Sequence, residues 1–155
     1  MPEIRRAEIR RAGPADAAAI AALTRAAYEK WVPVIGRAPK PMTADYAVAL
    51  RQHVIDLLYD EDVLVAMIEM IPEPDHLLIE NLAVLPAQQG QGFGTKLMAN
   101  AELRARELGY AEIRLYTNKL FAGNVAFYRK LGYRVDGESA YLGGSIVHMS
   151  KRIGA

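Results

Sequence analysis

Apolar residues recur along the chain with two different periods. Glu8 to Arg11 reads as a short strand, and Gly13-Pro14 breaks it. Pro14 suits the first turn of a helix, where its missing N–H is not needed. Ala17, Ile20, Thr24, Ala27, Tyr28 and Trp31 then follow at helical spacing. Pro33 to Pro41 holds Gly36 and three prolines, which predicts a loop, and Thr43 can cap a short helix running to about Gln52. Val54–Tyr59, Val63–Ile71 and His76–Leu85 are strand-like runs rich in β-branched and apolar residues. They are separated by the turns Asp60-Glu61-Asp62 and Pro72-Glu73-Pro74-Asp75. Connections this short predict an antiparallel meander.

The pattern then alternates. Leu97, Met98, Ala101, Ala105 and Leu108 share one face of a helix over Gly94–Leu108, which Gly109 stops. Ala111–Thr117 reads as a strand, Gly123–Leu131 as a short helix stopped by Gly132, and Tyr133–Asp136 and Tyr141–Lys151 as closing strands. The order β-α-α-β-β-β-α-β-α-β-β predicts an α+β fold with a mixed, mostly antiparallel central sheet flanked by about four helices. No linker or low-complexity tract interrupts residues 1–155, so a single domain is expected.

Composition narrows the function. The 155 residues contain no cysteine, which removes disulfides, thiolate metal sites and an acyl-cysteine intermediate. The three histidines, His53, His76 and His148, fall on different elements without metal-ligand spacing, so no metal is expected. Net charge is +1, too small for the global field that nucleic acid or a membrane surface would select. Arg5, Arg6, Arg10 and Arg11 cluster near the N-terminus; a solvated strand end explains them more simply than an anion patch. Met1 to Arg11 has no apolar run, and no apolar segment approaches the ~20 residues of a membrane helix, so a cytoplasmic location is expected.

The chemistry concentrates between Leu77 and Tyr133. The strand Leu78–Val84 leads through Leu85-Pro86-Ala87-Gln88 into Gln89-Gly90-Gln91-Gly92-Phe93-Gly94 and then a helix. A glycine-rich turn feeding a helix N-terminus offers unpaired N–H groups and the positive end of the helix dipole, a site for phosphate or pyrophosphate. Gly94-Thr95-Lys96 has the wrong order for a P-loop. The dinucleotide fingerprint would need glycine at position 95, where Thr stands. Gln-x-x-Gly-x-Gly remains, and by itself it is also compatible with a purely steric turn.

Context decides between these. The strand, the Gln89–Gly94 loop and its helix, followed by Asn124-Val-Ala-Phe127-Tyr128-Arg-Lys-Leu131-Gly132-Tyr133, resemble the two ordered motifs of the GNAT superfamily of acyl-CoA-dependent N-acetyltransferases. The resemblance implies acetyl-CoA as cosubstrate, a primary amine of a small molecule or peptide as acceptor, and a homodimer by analogy. It implies pyrophosphate on the backbone of Gln89, Gly90, Gln91, Gly92, Phe93, Gly94 and Thr95, and a pantetheine arm along Leu82, Ala83 and Val84. Many members carry Ala four residues before the motif tyrosine and Asn seven before. Here Asn124 and Phe121 hold those positions, so Asn124 and Asn118 are both candidates for the pantetheine amide.

Tyr128 is then the candidate general acid for the departing thiolate, with core packing beside Phe127 as the competing reading. Glu80 is the candidate base, since an acceptor amine near pKa 10.4 is almost all protonated at neutral pH. By alternation Glu80 shares a side with Leu78, Leu82 and Val84, and a structural ion pair is the competing reading. Tyr28, Trp31 and the Gly36–Met42 loop are candidates for the acceptor site, with a packed helix face as the alternative for the two aromatics. Without cysteine, direct attack in a ternary complex is the expected mechanism. A longer acyl-CoA, or a non-catalytic acyl-CoA-binding module, are the rival functions.

Overall fold

The computed structural model describes residues 7–121 and 123–154, so Arg5 and Arg6 lie outside the described residues. Within them β1 (Ala7–Arg11), β2 (Val54–Asp60), β3 (Val63–Pro72), β4 (Leu77–Val84), β5 (Glu112–Asn118), β6 (Arg134–Tyr141) and β7 (Gly144–Arg152) form one sheet. Its order is β1-β2-β3-β4-β5-β7-β6. β4 and β5 run parallel and every other pair is antiparallel, so the sheet is mixed as expected. The helices are α1 (Ala17–Tyr28), α2 (Val32–Ile35), α3 (Tyr46–Gln52), α4 (Phe93–Glu107) and α5 (Asn124–Lys130). None of these helices is long and apolar enough to cross a membrane.

Each face of the sheet has its own core. α1 buries Ile20, Leu23, Thr24 and Ala27, the i, i+3, i+4, i+7 stripe, with Tyr46 and Ala49 of α3 against Ile55, Leu57, Met67 and Ala83. α4 buries Phe93, Leu97, Met98, Ala101 and Ala105 against Leu58, Ile68, Met70, Leu77 and Ile79 of the other face. Fully burying a Leu or Met is worth about 1.5–3 kcal/mol, so these stripes dominate the attachment of both helices.

α4 has a polar anchor as well. The Asp56 carboxylate is fully buried on β2, and Arg104 grips it through Nε at 2.9 Å and a terminal nitrogen at 3.0 Å. Asn100 adds a third hydrogen bond at 2.7 Å. The Asp56 bonds raise the Arg104 pKa further above its ordinary value.

Three local expectations change. The Pro33–Pro41 stretch contains the single-turn α2, because Pro33 sits in its first turn and Gly36, at φ +76°, ends it. α3 is capped by Asp45, whose Oδ1 accepts from Ala47 N at 3.0 Å and Val48 N at 3.2 Å; Thr43 instead closes the preceding turn onto Lys40 O. β6 continues to Tyr141, and its connection to β7 is the tight turn at Leu142-Gly143, both with positive φ.

Candidate active site

β4 and β5 are joined only through Leu77↔Ile113, Leu78↔Arg114 and Ile79↔Leu115. Beyond that point β5 continues on β7, while β4 continues on β3, and the two strands part. The facing edge of β4 is therefore left open. Leu85 N donates to Val65 O, which sets the ladder so that Leu82 and Val84 turn their N–H and C=O groups away from β3 toward the opening. The sequence pattern had no means of showing this splay, which is a relation between two strands.

A bulge sits at its apex. Glu69 pairs with Asn81 and Met70 with Ile79, so Glu80 has no partner on β3. The extra residue breaks the alternation assumed from the sequence. Leu82 and Val84 pack with the same core as Leu77 and Ile79, so the expectation that Glu80 shares a side with Leu82 and Val84 is corrected. Glu80 and Asn81 instead face the segment before α3. Glu80 Oε1 accepts from Lys40 Nζ at 3.0 Å and from the Tyr116 hydroxyl at 2.8 Å. Asn81 donates to the Tyr46 hydroxyl at 3.2 Å, and Tyr46 donates to the Pro41 carbonyl. The Tyr28 hydroxyl lies 2.8 Å from Asn81 Oδ1 and 3.2 Å from Leu82 O.

Two cavities meet in the opening. The larger, about 420 Å³, runs from Leu82–Val84 to the loop before α4. Gly90 (φ +82°) and Gly92 (φ +86°) shape that loop in the left-handed region, and a Cβ at either would meet nothing within 4 Å. Gly94 has an ordinary φ but lies against Phe127, Val84 and Leu82, with a Cβ reaching 3.5 Å from the Phe127 ring. The first intrahelical bond is Lys96 N to Gly92 O, so the N–H groups of Phe93, Gly94 and Thr95 have no intrahelical acceptor. The expected residues Leu82, Ala83, Val84, Gln89, Gly90, Gly92, Phe93, Gly94, Thr95 and Asn124 all line this cleft, whereas Gln91 turns back onto Gln88. The Gln89 side chain bonds Val84 O at 3.2 Å and accepts from Lys30 Nζ at 3.0 Å. That contact brings to the cleft a cation that sequence reasoning missed.

The smaller cavity, about 100 Å³, lies on the other side of the junction. Arg37, Pro39, Lys40 and Pro41 from the loop wall it, opposite Glu80, Tyr116 and Asn118. Tyr28, Asn124 and Tyr128 line both cavities. Trp31 lines only the larger one, stacked on Phe121 of the smaller with ring centroids 4.8 Å apart, whereas the sequence reading puts Trp31 with the acceptor loop. Phe121 carried no functional signal in the sequence beyond its motif spacing. Asn124 Nδ2 donates to Thr117 Oγ1 at 3.1 Å at the junction, while Asn118 Oδ1 is used by Leu120 N in a turn.

Tyr128 packs edge-on against Phe127 and Tyr133 and is only 8% exposed, and it also lines both cavities. Burial pushes its phenol well above the ordinary value, and among the described residues its hydroxyl has no hydrogen-bond partner. It is a neutral donor at any physiological pH.

Comparison with known proteins agrees with this geometry. The model of the Acetyltransferase (GNAT) family matches residues 19–133, from α1 to the end of α5. The chain belongs to the GNAT acetyltransferase family. Among curated relatives, probable N-acetyltransferase 14 of Xenopus tropicalis is 29% identical over 92 residues, 58% of this chain and 45% of that protein. The alignments span about half the length of the curated relatives matched. Among solved structures, the PaiA N-acetyltransferase of Thermoplasma acidophilum in complex with coenzyme A superimposes with a TM-score of 0.79 at 19% identity, covering 95% of this chain and 99% of that one. The ribosomal-protein-S18-alanine N-acetyltransferase of Escherichia coli gives 0.79 at 18% identity, over 97% and 96%. These likenesses establish the GNAT fold for all seven strands.

Proposed function

We propose that this GNAT protein is an acetyl-CoA-dependent N-acetyltransferase acting by direct attack of a primary amine in a ternary complex. One observation carries the reading: a cleft with an open strand edge and a helix N-terminus meets a separate polar cavity at Tyr28, Asn124 and Tyr128. The glycine loop has room for a bulky anion, and the N–H groups of Phe93, Gly94 and Thr95 with Lys30 suit a pyrophosphate. The backbone of Leu82 and Val84 suits an extended amide-bearing arm, and of the two candidate amides Asn124 is the one on the cleft. Acetyl-CoA would supply the activated acyl group as a thioester.

Each step falls to a named group. A backbone N–H on the open edge of β4 polarises the acyl carbonyl, an oxyanion-type contribution. Glu80, directly or through water, takes the proton from the acceptor ammonium; its bond to Lys40 must loosen as the amine arrives. The amine attacks the carbonyl carbon, the carbon–sulfur bond breaks as Tyr128 donates to the leaving sulfur, and the second proton that the attacking nitrogen loses returns, directly or through water, to the Tyr128 oxygen. Its raised pKa keeps that proton in place.

The test is a thermal-shift comparison of acetyl-CoA, CoA, ATP and NAD. Ligand at 100 times its Kd adds about 2.7 kcal/mol, which is roughly 5–10 °C for a domain of this size. Shifts with the two CoA forms alone are expected. No shift with either would remove the cofactor reading. A shift without turnover across a broad amine panel would leave an acyl-CoA-binding module.

A further inference from the structure

The smaller cavity has an unbalanced charge. Three ionic side chains line it: Arg37, Lys40 and Glu80. Lys40 and Glu80 neutralise each other across 3.0 Å. That leaves Arg37, half-buried, with no carboxylate partner among the described residues. Its guanidinium is instead held over the Tyr141 ring, 5.6 Å from the centroid. A cation–π contact engages the charge of the guanidinium and leaves its N–H donors available, the groups that grip a carboxylate bidentately.

The remaining lining is neutral. Ile35, Pro39, Pro41 and Ile146 close the walls, and Tyr116 donates its hydroxyl to Glu80. A dicationic or polycationic amine would meet Arg37 with nothing to offset the repulsion. An anion on the acceptor meets the opposite situation. Arg37 and Glu80 line one cavity of about 100 Å³, so a carboxylate on the first and an amine toward the second fit within one compact molecule.

We propose that the acceptor is a small primary amine carrying its own carboxylate a few bonds away, bound with the carboxylate on Arg37 and the amine toward Glu80. This rests on the acetyltransferase reading above. On that reading the amine attacks the thioester carbonyl, the carbon–sulfur bond breaks, and the products are an N-acetylated amino acid and free CoA. The ammonium gives its first proton to Glu80, Tyr128 protonates the leaving thiolate, and the second nitrogen proton restores the Tyr128 phenol. Arg37 takes no part in these transfers; it sets which amine stays long enough to react.

The experiment pairs each α- or ω-amino acid of two to five carbons with its carboxamide and its phosphonate analogue, and adds cadaverine as a dication. Two readouts are taken on wild type and Arg37→Gln: CoA release with acetyl-CoA, and calorimetric binding of each amine to the CoA-loaded protein. The acetyl-CoA thermal shift is recorded on the same samples. For at least one pair, the carboxylate is expected to exceed its carboxamide by about tenfold or more in both kcat/KM and affinity. Arg37→Gln is expected to bring that ratio close to one while the acetyl-CoA shift persists. Equal use of both members of every pair, preference for cadaverine or for the phosphonates, or a ratio unmoved by Arg37→Gln would each overturn the proposal. An acetyl-CoA shift with no amino acid bound or turned over overturns it and leaves the cofactor reading standing. No acetyl-CoA shift removes both.

Discussion

At the scale of single residues, the proposed mechanism turns on two groups that are held by different means. Tyr128 is kept neutral by burial between Phe127 and Tyr133 and presents its hydroxyl where the two cavities join. Replacing it with Phe keeps the packing and removes only the donor. Tyr128→Phe is expected to lower kcat by about 10²–10⁴-fold with the acetyl-CoA thermal shift unchanged. A variant with wild-type kcat would assign the tyrosine to packing alone. Glu80 is kept in place by two donors on one oxygen, Lys40 and Tyr116. Glu80→Gln retains an acceptor for both but no longer takes a proton. Steady-state kinetics should therefore show kcat/KM for the amine down by about 10²-fold at neutral pH, recovering as pH rises and more of the amine is already free. A loss independent of pH would mean that Glu80 acts only as a structural ion-pair partner.

At the scale of elements, α4 has to keep its N-terminal N–H groups aimed into the cleft, and the attachment that holds it lies a few turns away. Arg104 and Asn100 close on a carboxylate at 0% exposure. Arg104→Ala would leave Asp56 buried with one neutral partner, and breaking such a pair costs about 3–5 kcal/mol. Chemical denaturation should show that loss, larger than the ~1 kcal/mol expected for deleting the Asp45 cap of α3. A loss below that of the cap would place Asp56 in contact with water. The contrast also marks what the chain reveals before it folds. The α4 stripe, the stops at Gly109 and Gly132 and the Gly90–Gly94 loop were legible, because each follows from residues close in sequence. Most of the lining of the larger cleft was legible for the same reason: strand, loop and helix are contiguous. The Asp56–Arg104 grip, the Asn81–Tyr46 bond and the Trp31–Phe121 stack join residues 35 to 90 positions apart, and no local period encodes them. Glu80 shows the cost: one bulged residue inverted the alternation on which its orientation was inferred.

At the scale of the whole molecule, buried tyrosines gather beside the parting of β4 and β5, and this should govern how the fold responds to alkali. Tyr28, Tyr116 and Tyr128 line the opening, Tyr46 is bonded to Asn81 beside it, and burial raises the pKa of each phenol, that of Tyr46 to about 12. A folded-state pKa above the unfolded value near 10 means that the folded chain holds its phenol protons more tightly. The stability these groups contribute is complete below pH 10 and is lost as pH rises through the folded values. For Tyr46 alone, the rise from 10.0 to about 12 corresponds to about 3 kcal/mol lost across that window. The melting temperature is therefore expected to be insensitive to tyrosine ionisation up to about pH 9. It should fall steeply above pH 10, with phenolate absorbance appearing together with unfolding. Tyr46→Phe removes one of the titrating groups and should make the fall shallower. Phenolate absorbance that develops fully near pH 10 while the fold persists would show that water reaches these rings in the folded state and that their burial does not hold the protons.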